Sequence, residues 1–325
     1  MIIRPSYGEN PRVETWQSLV HVCRRWRNII FGSPHRLNLQ LFCTPKTPAK
    51  DTLDIWPALP LLVWGNMTSS STGNVIAALG QSNRVRAAIL LNLAGRQLEE
   101  VLAAMQVPFP ELTIMRLSSH DEAPPVIPDS FLDRFALRLQ IFELVGIPFP
   151  GLPKLLLSAT RLVDLRLFNI PHSGYISPGT MVDLLCVSSS LRTLSLEFRS
   201  PQSRPDSETR RLHPLKRSIL PALRGLYFKG VTDYLEELVT HIDTPQLDHM
   251  HITFFNQIDF GYPQLVQFIN CTPRLGERDE AHVQFDDNTA SVTLLHRTSK
   301  SCLDDLRMAI MQRTRLAGLV RRPGL

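Results

Sequence analysis

Apolar residues recur in one short pattern through the middle of the chain. The pattern is apolar-x-x-apolar-x-apolar, and its alternating positions are typical of a short β-strand with one buried face. Its eight occurrences are Leu59-Leu62-Trp64, Val85-Ala88-Leu90, Leu112-Met115-Leu117, Leu139-Phe142-Leu144, Leu162-Leu165-Leu167, Leu191-Leu194-Leu196, Leu223-Leu226-Phe228 and Leu247-Met250-Ile252. Successive occurrences begin 23 to 32 residues apart. One match would mean little, but eight at a near-constant period predict a structural repeat.

Several intervals between these strands show the spacing of an amphipathic helix. The apolar sets at this spacing are Leu98-Val101-Leu102-Met105, Leu152-Leu155-Leu156-Ala159, Leu235-Leu238-Val239-Ile242 and Leu265-Phe268-Ile269. Each places its members on one side of a helix. Ser177 followed by Pro178 predicts the N-cap and first residue of a helix over 178–187. Thr232 is predicted to cap a helix over 233–242 in the same way.

A strand followed by a helix at this period predicts an α/β fold. The period fits a leucine-rich-repeat-like solenoid, with parallel strands inside and helices outside, in which each unit buries its apolar face against its neighbours. The predicted regions are a short helical segment at 1–36, the solenoid at 37–290 and a tail or cap at 291–325. An insert at 199–217 is rich in Pro, Ser and Arg and is predicted to be a flexible loop.

The inner strand face is the expected binding surface, since its outward positions alternate with the buried ones. Its middle column is predicted to hold Val63, Ile89, Arg116, Glu143, Arg166, Ser195, Tyr227 and His251, with Asp164, Glu197, Lys229 and His249 beside it. The substrate-binding candidates are Arg116, Glu143, Asp164, Arg166, Glu197, Tyr227, His249 and His251. Arg and Tyr are favoured interface anchors. A polar surface that binds nothing in particular is the alternative.

Composition indicates an intracellular globular protein. Apolar residues make up 43% of the 325 residues and charged residues 20%, which excludes wholesale disorder. The five cysteines are far apart in the chain, which favours a reducing compartment. The amino terminus lacks the apolar core of a signal peptide, and the longest apolar stretches are too short to span a bilayer. We therefore expect a soluble cytoplasmic or nuclear protein without a membrane partner.

The net charge of +5 is unevenly distributed. Three segments, 12–36, 199–217 and 297–322, together carry +13, so the rest of the chain carries −8. A sequence pI near 9.1 raises the question of nucleic-acid binding. Because the basic charge lies at the ends and in one insert, we expect no nucleic-acid partner.

Motifs of catalytic chemistry are lacking from the sequence. It contains no phosphate-binding Gly-rich loop, no GxSxG and no HExxH. His249 and His251 share one strand face, but two histidines without a third ligand are more often ordinary surface residues. We therefore expect no catalytic residues, no metal site and no cofactor, and hence no enzyme.

The amino-terminal segment 15–31, TWQSLVHVCRRWRNIIF, carries an apolar helical stripe that ends before Gly32 and Pro34. A helix that caps the first repeat is one interpretation. The stretch LVHVCRRWRNIIFGSPHRLNLQL resembles the second half of an F-box as found in a large family of basidiomycete fungal F-box proteins. The following CTPKTPAKDTLDIWPALPLLVWGN at 43–66 and later segments such as IPFPGLPKLLLSAT and FNIPHSGYISP extend the resemblance over roughly 15–290.

The resemblance implies a substrate-recognition adaptor of a Skp-cullin-F-box ubiquitin ligase. The F-box helix would contact a Skp-family adaptor through Leu19, Val20, Cys23, Trp26 and Ile30, and the repeats would hold an unidentified protein substrate. That family's box normally opens with a Leu-Pro motif, which the residues before Trp16 do not match. The alternative is a repeat-only protein-binding scaffold, or a truncated paralogue that has lost its coupling to the ligase.

Overall fold

The computed structural model describes residues 22–32, 39–43, 48–55, 58–67, 72–134, 137–201, 217–255, 263–276, 280–285, 289–295 and 306–311. Several sequence predictions lie outside these residues. They are the contacts of Leu19 and Val20, the middle of the predicted insert at 202–216 and most of the predicted tail.

Parallel strands that follow one another in chain order form the main sheet. The strands are β1 (Leu39–Phe42), β2 (Leu61–Asn66), β3 (Val85–Leu91), β4 (Ile114–Ser118), β5 (Ile141–Val145), β6 (Asp164–Ile170), β7 (Thr193–Phe198), β8 (Ser218–Ile219), β9 (Gly225–Gly230), β10 (Ile242–Asp243), β11 (His249–Phe254), β12 (Glu280–Phe285), β13 (Thr289–Leu295) and β14 (Leu306–Met311). Nine of them, β1 to β7, β9 and β11, are paired in parallel in that order. All eight predicted strands are confirmed, and β1 precedes them.

The remaining strands complete the sheet at one side and form a small second sheet. β14 pairs in parallel with β11, and β13 and β12 follow it in antiparallel orientation. β8 and β10 pair with each other only. The predicted α/β class is therefore confirmed.

Helices connect most of the consecutive parallel strands. The helices are α1 (Arg24–Phe31), α2 (Ala49–Ile55), α3 (Thr72–Leu79), α4 (Gly95–Ala104), α5 (Leu152–Ser158), α6 (Pro178–Cys186), α7 (Thr232–Thr240), α8 (Pro263–Cys271) and α9 (Pro273–Gly276), with 3-10 turns at Phe131–Arg134 and His172–Gly174. Neighbouring helices pack side by side from α2 to α4 and from α5 to α8, and the turn at Phe131–Arg134, which lies between β4 and β5 in the chain, contacts α5. The apolar sides of these helices and alternate residues of the strands share one continuous core, so the helices cover one face of the sheet.

The two predicted helix caps have different outcomes. The Oγ of Ser177 accepts a hydrogen bond from the Thr180 N–H at 3.2 Å, and Pro178 is the first residue of α6, so this cap is confirmed. The prediction for Thr232 is wrong, because α7 begins at Thr232 and extended Val231 occupies the cap position. The Thr232 side chain is buried, so it packs inside the protein and leaves the helix without a side-chain cap.

The predicted register of β2 is wrong. Leu62 and Trp64 were expected in the core and Val63 outside, but Val63 is buried and Trp64 is 36% exposed. Because every residue from 61 to 64 is apolar, alternation alone does not identify the buried face. The packing of helix α3 explains which face of β2 is buried. A Cβ on Gly65 would lie 3.3 Å from Cγ2 of Val75 in α3, so the buried face of β2 has no room for the indole of a tryptophan.

Candidate functional site

The sheet face opposite the helices carries one row of equivalent positions, and we call it the open face. Backbone pairing places in this row Phe42, Trp64, Ile89, Arg116, Glu143, Arg166, Ser195, Tyr227 and His251. Seven of the eight residues predicted for the middle column lie in it. Trp64 takes the place predicted for Val63, and Phe42 on β1 extends the row.

Two further rows flank the middle one. The row nearer the strand starts contains Asp164, Thr193, Gly225 and His249, and the row nearer the strand ends contains Glu197, Lys229 and Thr253. The structure therefore brings all eight predicted substrate-binding residues to the open face. Their role in binding stays a prediction.

A chain of alternating charges crosses the centre of the open face. Oε2 of Glu143 lies 3.5 Å from Nε of Arg116 and 3.8 Å from Nη1 of Arg166. Nη2 of Arg166 donates to Oδ2 of Asp164 at 3.0 Å. Two cations and two anions thus neutralise one another across β4 to β6. This part of the open face presents little net charge to a partner.

A carboxyl group and an amine occupy paired positions on β7 and β9. Burial raises the pKa of Glu197 above its ordinary value, and the positive charge of paired Lys229 partly offsets this effect. Nζ of Lys229 also lies 5.8 Å from the ring centroid of Phe255, within the range of a cation–π contact.

Replacing Glu197 by glutamine is expected to stabilise the protein at neutral pH. A raised pKa means that the folded protein holds this proton more tightly than the unfolded chain does. The associated stability is complete below the ordinary value of 4.5 and is lost as the pH rises through the folded pKa. Because solvent screens a partly exposed group, we expect a gain in unfolding free energy of less than about 1 kcal/mol at pH 7. Urea denaturation at several pH values measures it.

The pH dependence separates this effect from a simple gain in packing. The difference between Glu197→Gln and the wild type should disappear below about pH 4, where the carboxyl is protonated in both states. Glu100→Gln on the surface of α4 is the matched control and should show no gain at pH 7, since Glu100 pairs with Arg96 in solvent. An equal gain at pH 4 and pH 7 contradicts the prediction.

The β1 and β11 sides of the open face differ in chemistry. At the β1 end, the rings of Phe42 and Trp64 pack with their centroids 5.6 Å apart, and Ile89 follows in the row. At the β11 end, the rings of Tyr227 and His251 lie 6.4 Å apart. The Phe42–Trp64 pair was not predicted, although the alternation of leucines in LNLQLF indicates an additional strand at this end.

Sequence reasoning also missed two arginines at the start of neighbouring strands. Arg192 and Arg224 are both exposed, and the Arg224 N–H donates to the Arg192 carbonyl at 2.9 Å. Each directly follows the first leucine of its repeat pattern, Leu191 or Leu223. That shared position is the sequence signal that could have identified them.

Helix α1 leaves its described side chains in solvent. Residues 22–29 are all exposed, and Trp26 retains 46% of its surface. Trp26 and Ile29 are three residues apart within the helix and so share one side of it, and Val22, which is also exposed, lies two residues before the helix begins. Of the predicted adaptor contacts, Cys23 and Trp26 are exposed here, whereas the side chain of Ile30 lies outside the description. This part of α1 does not bury an apolar stripe against the sheet, as a capping helix would.

The described residues form neither a metal-ion site nor a membrane-spanning helix. Within the described ranges, no group of three His, Cys, Asp or Glu side chains could hold a metal ion, and His249 and His251 gain no third ligand there. No helix in this part of the chain is long and apolar enough to cross a bilayer. Comparison with protein-family models, curated proteins and solved structures gave no match for this chain.

Proposed function

We propose that this protein is an F-box-type substrate-recognition adaptor of a Skp-cullin-F-box ubiquitin ligase. Helix α1 would dock on a Skp-family adaptor, and the open face would hold the protein substrate. The observation that carries the proposal is the solvent-exposed apolar side of α1, in the segment that resembles an F-box. Sequence segments after this helix also resemble that family's repeat region in order.

The proposal includes a finer description of the fold. Nine parallel strands in chain order with a single helix layer are what a leucine-rich-repeat-like solenoid requires. In such a solenoid each unit contacts only its neighbours, and the uncovered strand face forms an extended recognition surface. The open face would then be its inner, substrate-binding surface.

The chemistry of α1 fits a helical docking element. Trp26 is a large aromatic side chain, and such residues dominate binding energy when a partner covers them. An amphipathic helix that enters a groove uses residues at the spacing of Trp26 and Ile29, which are three positions apart. Arg24 and Arg25 are exposed on the same helix, so a groove with acidic margins would suit it.

Co-expression with a fungal Skp-family adaptor tests the docking. We expect a complex that survives size-exclusion chromatography, and we expect Trp26→Ala to weaken it by at least about tenfold, the typical cost of a buried aromatic anchor. Because Trp26 is exposed in the free protein, its loss should leave the thermal midpoint nearly unchanged.

The matched control is Leu157→Ala on α5, which removes an apolar side chain that is 52% exposed but far from α1 in sequence. It should bind the adaptor like the wild type. An equal loss in both variants, or no complex with the wild type, contradicts the proposal. The second outcome would favour the scaffold alternative.

A further inference from the structure

Two exposed arginines, Arg192 and Arg224, occupy neighbouring backbone positions directly before β7 and β9 begin. The backbone hydrogen bond from Arg224 to Arg192 places the two residues on neighbouring strands, about 4.8 Å apart. Both side chains are exposed, and neither forms an ion pair or hydrogen bond with another described residue. A surface on which two like charges face solvent together favours an anionic partner.

Donor groups of the open face lie next to these arginines. A Cβ on Gly225 would lie 3.1 Å from Cε2 and 3.8 Å from Cζ of Tyr227, so the hydroxyl-bearing end of the ring lies over Gly225, next to Arg224. His249 pairs with Gly225 on the adjacent strand. We call Arg192, Arg224, Tyr227 and His249 together the arginine edge.

Two carboxylates at positions adjoining the arginine edge are already engaged. Asp164, beside Thr193, binds Arg166 at 3.0 Å. Asp248, which follows Arg224 along the edge, binds Arg274 at 3.2 Å. The arginine edge therefore keeps its positive charge and is not neutralised by these neighbours.

The rest of the open face favours a polypeptide over a nucleic acid. At its centre the two cations and two anions neutralise one another, so it offers no continuous positive surface to a phosphate backbone. Its far end presents the aromatic pair of Phe42 and Trp64, which suits an apolar side chain. Six strand steps separate Trp64 from Tyr227, about 29 Å along the sheet, or roughly nine residues of extended chain.

We propose that the arginine edge binds an acidic segment, rich in Asp and Glu, of the protein partner held by the open face. Carboxylates would accept hydrogen bonds from Arg192, Arg224 and the hydroxyl of Tyr227, and arginine is suited to such pairing. This inference rests on the proposed function, since it specifies the class of substrate that the adaptor would recruit.

A fluorescein-labelled peptide of ten glutamates is the probe, and fluorescence anisotropy at low salt measures its binding to the full chain. We expect saturable binding and a loss of at least about tenfold in affinity for the double variant Arg192→Glu, Arg224→Glu. The matched control reverses the same number of charges at exposed Arg86 and Arg96 on other units and should change the affinity by less than about twofold.

Three results would overturn the inference. They are no binding of the glutamate peptide at about 1 mM protein, an equal loss in the control variant, and equal binding of a ten-lysine peptide. A single-stranded DNA of about twenty nucleotides provides a further arm. If it binds the arginine edge more tightly than the peptide and Arg192→Glu, Arg224→Glu abolishes this, the partner is a nucleic acid and the inference is wrong.

Adaptor binding by the same variants separates this inference from the proposed function. The double variant Arg192→Glu, Arg224→Glu should still bind the Skp-family adaptor, and Trp26→Ala should still bind the glutamate peptide. Failure of the peptide alone overturns the inference and leaves the adaptor proposal standing. If only adaptor binding is absent, the proposed role in a ubiquitin ligase is wrong, and the open face remains a surface that binds acidic segments.

Discussion

Replacing Phe228 by alanine is expected to lower the free energy of unfolding by about 3–5 kcal/mol. Phe228 on β9 is 1% exposed. Its ring stacks on Tyr234 of α7 with centroids 5.7 Å apart and contacts Phe198 on β7 and Phe254 on β11 at 6.3 and 6.4 Å. The substitution opens a cavity that several rigid neighbours cannot fill, so the packing loss adds to the transfer loss.

Urea denaturation followed by circular dichroism measures this effect. Phe42→Ala is the matched control, because Phe42 lies on edge strand β1 and is only partly buried beside Trp64. We expect it to cost about 1 kcal/mol or less, since solvent already reaches the site. Equal losses at the two positions would contradict the packing argument.

Replacing Gly146 by alanine is expected to lower the free energy of unfolding by about 2–4 kcal/mol, because it combines backbone strain with a steric clash. Gly146 follows β5 with a φ of +72°, a conformation that L side chains rarely adopt. A Cβ there would lie 2.4 Å from the carbonyl oxygen of Ser119. That oxygen belongs to the backbone, so it cannot move aside as a flexible side chain could.

Gly73→Ala provides the opposite expectation for the same chemical change. Gly73 lies in α3, and a Cβ there would have no heavy atom within 4 Å. Alanine has the higher helix propensity and restricts the unfolded chain, so we expect a change between zero and about 1 kcal/mol of stabilisation. Thermal or urea unfolding of both variants checks the pair. A loss at Gly73 as large as that at Gly146 would contradict the conformational explanation.

These stability effects also determine which variants suit the functional experiments. Phe228 is adjacent to Tyr227, so a cavity beneath β9 would disturb the arginine edge as well as the core. Exposed residues such as Trp26, Arg192 and Arg224 can be replaced without removing core contacts. A loss of binding in those variants therefore reports on the surface and not on folding.

The strands and helices could be predicted from the sequence because the spacing of apolar residues within each segment identifies it. Leucines at Leu162, Leu165 and Leu167, for example, identify β6 and its buried face directly. The i, i+3, i+4 spacing from Leu98 to Met105 likewise identifies the buried side of α4. Near-constant spacing of the strands also predicted parallel neighbours in chain order, which the pairing confirms.

The candidate surfaces were predictable only in part. Alternation placed Arg116, Glu143 and Arg166 in one row, but nothing in the sequence indicates that Glu143 is shared between the two arginines. Which donors and acceptors meet depends on side-chain conformation and strand spacing. The side-by-side arrangement of Arg192 and Arg224 needs the register of two strands that are 32 positions apart in the chain.

The α/β class, the positions of the eight predicted strands and the helix sides that face the core could all be predicted from the amino-acid sequence. Those features follow from short-range periodicity, which each segment carries within itself. The buried face of β2, the exposure of α1 and the pairing of strands at the arginine edge depend instead on contacts between distant parts of the chain. Both faces of β2 are apolar in sequence, and the fit of α3 over Gly65 turns Trp64 outward. These features depend on which residues distant in sequence come into contact. Packing density and charge pairing arise from such contacts, so no single segment of the sequence specifies them.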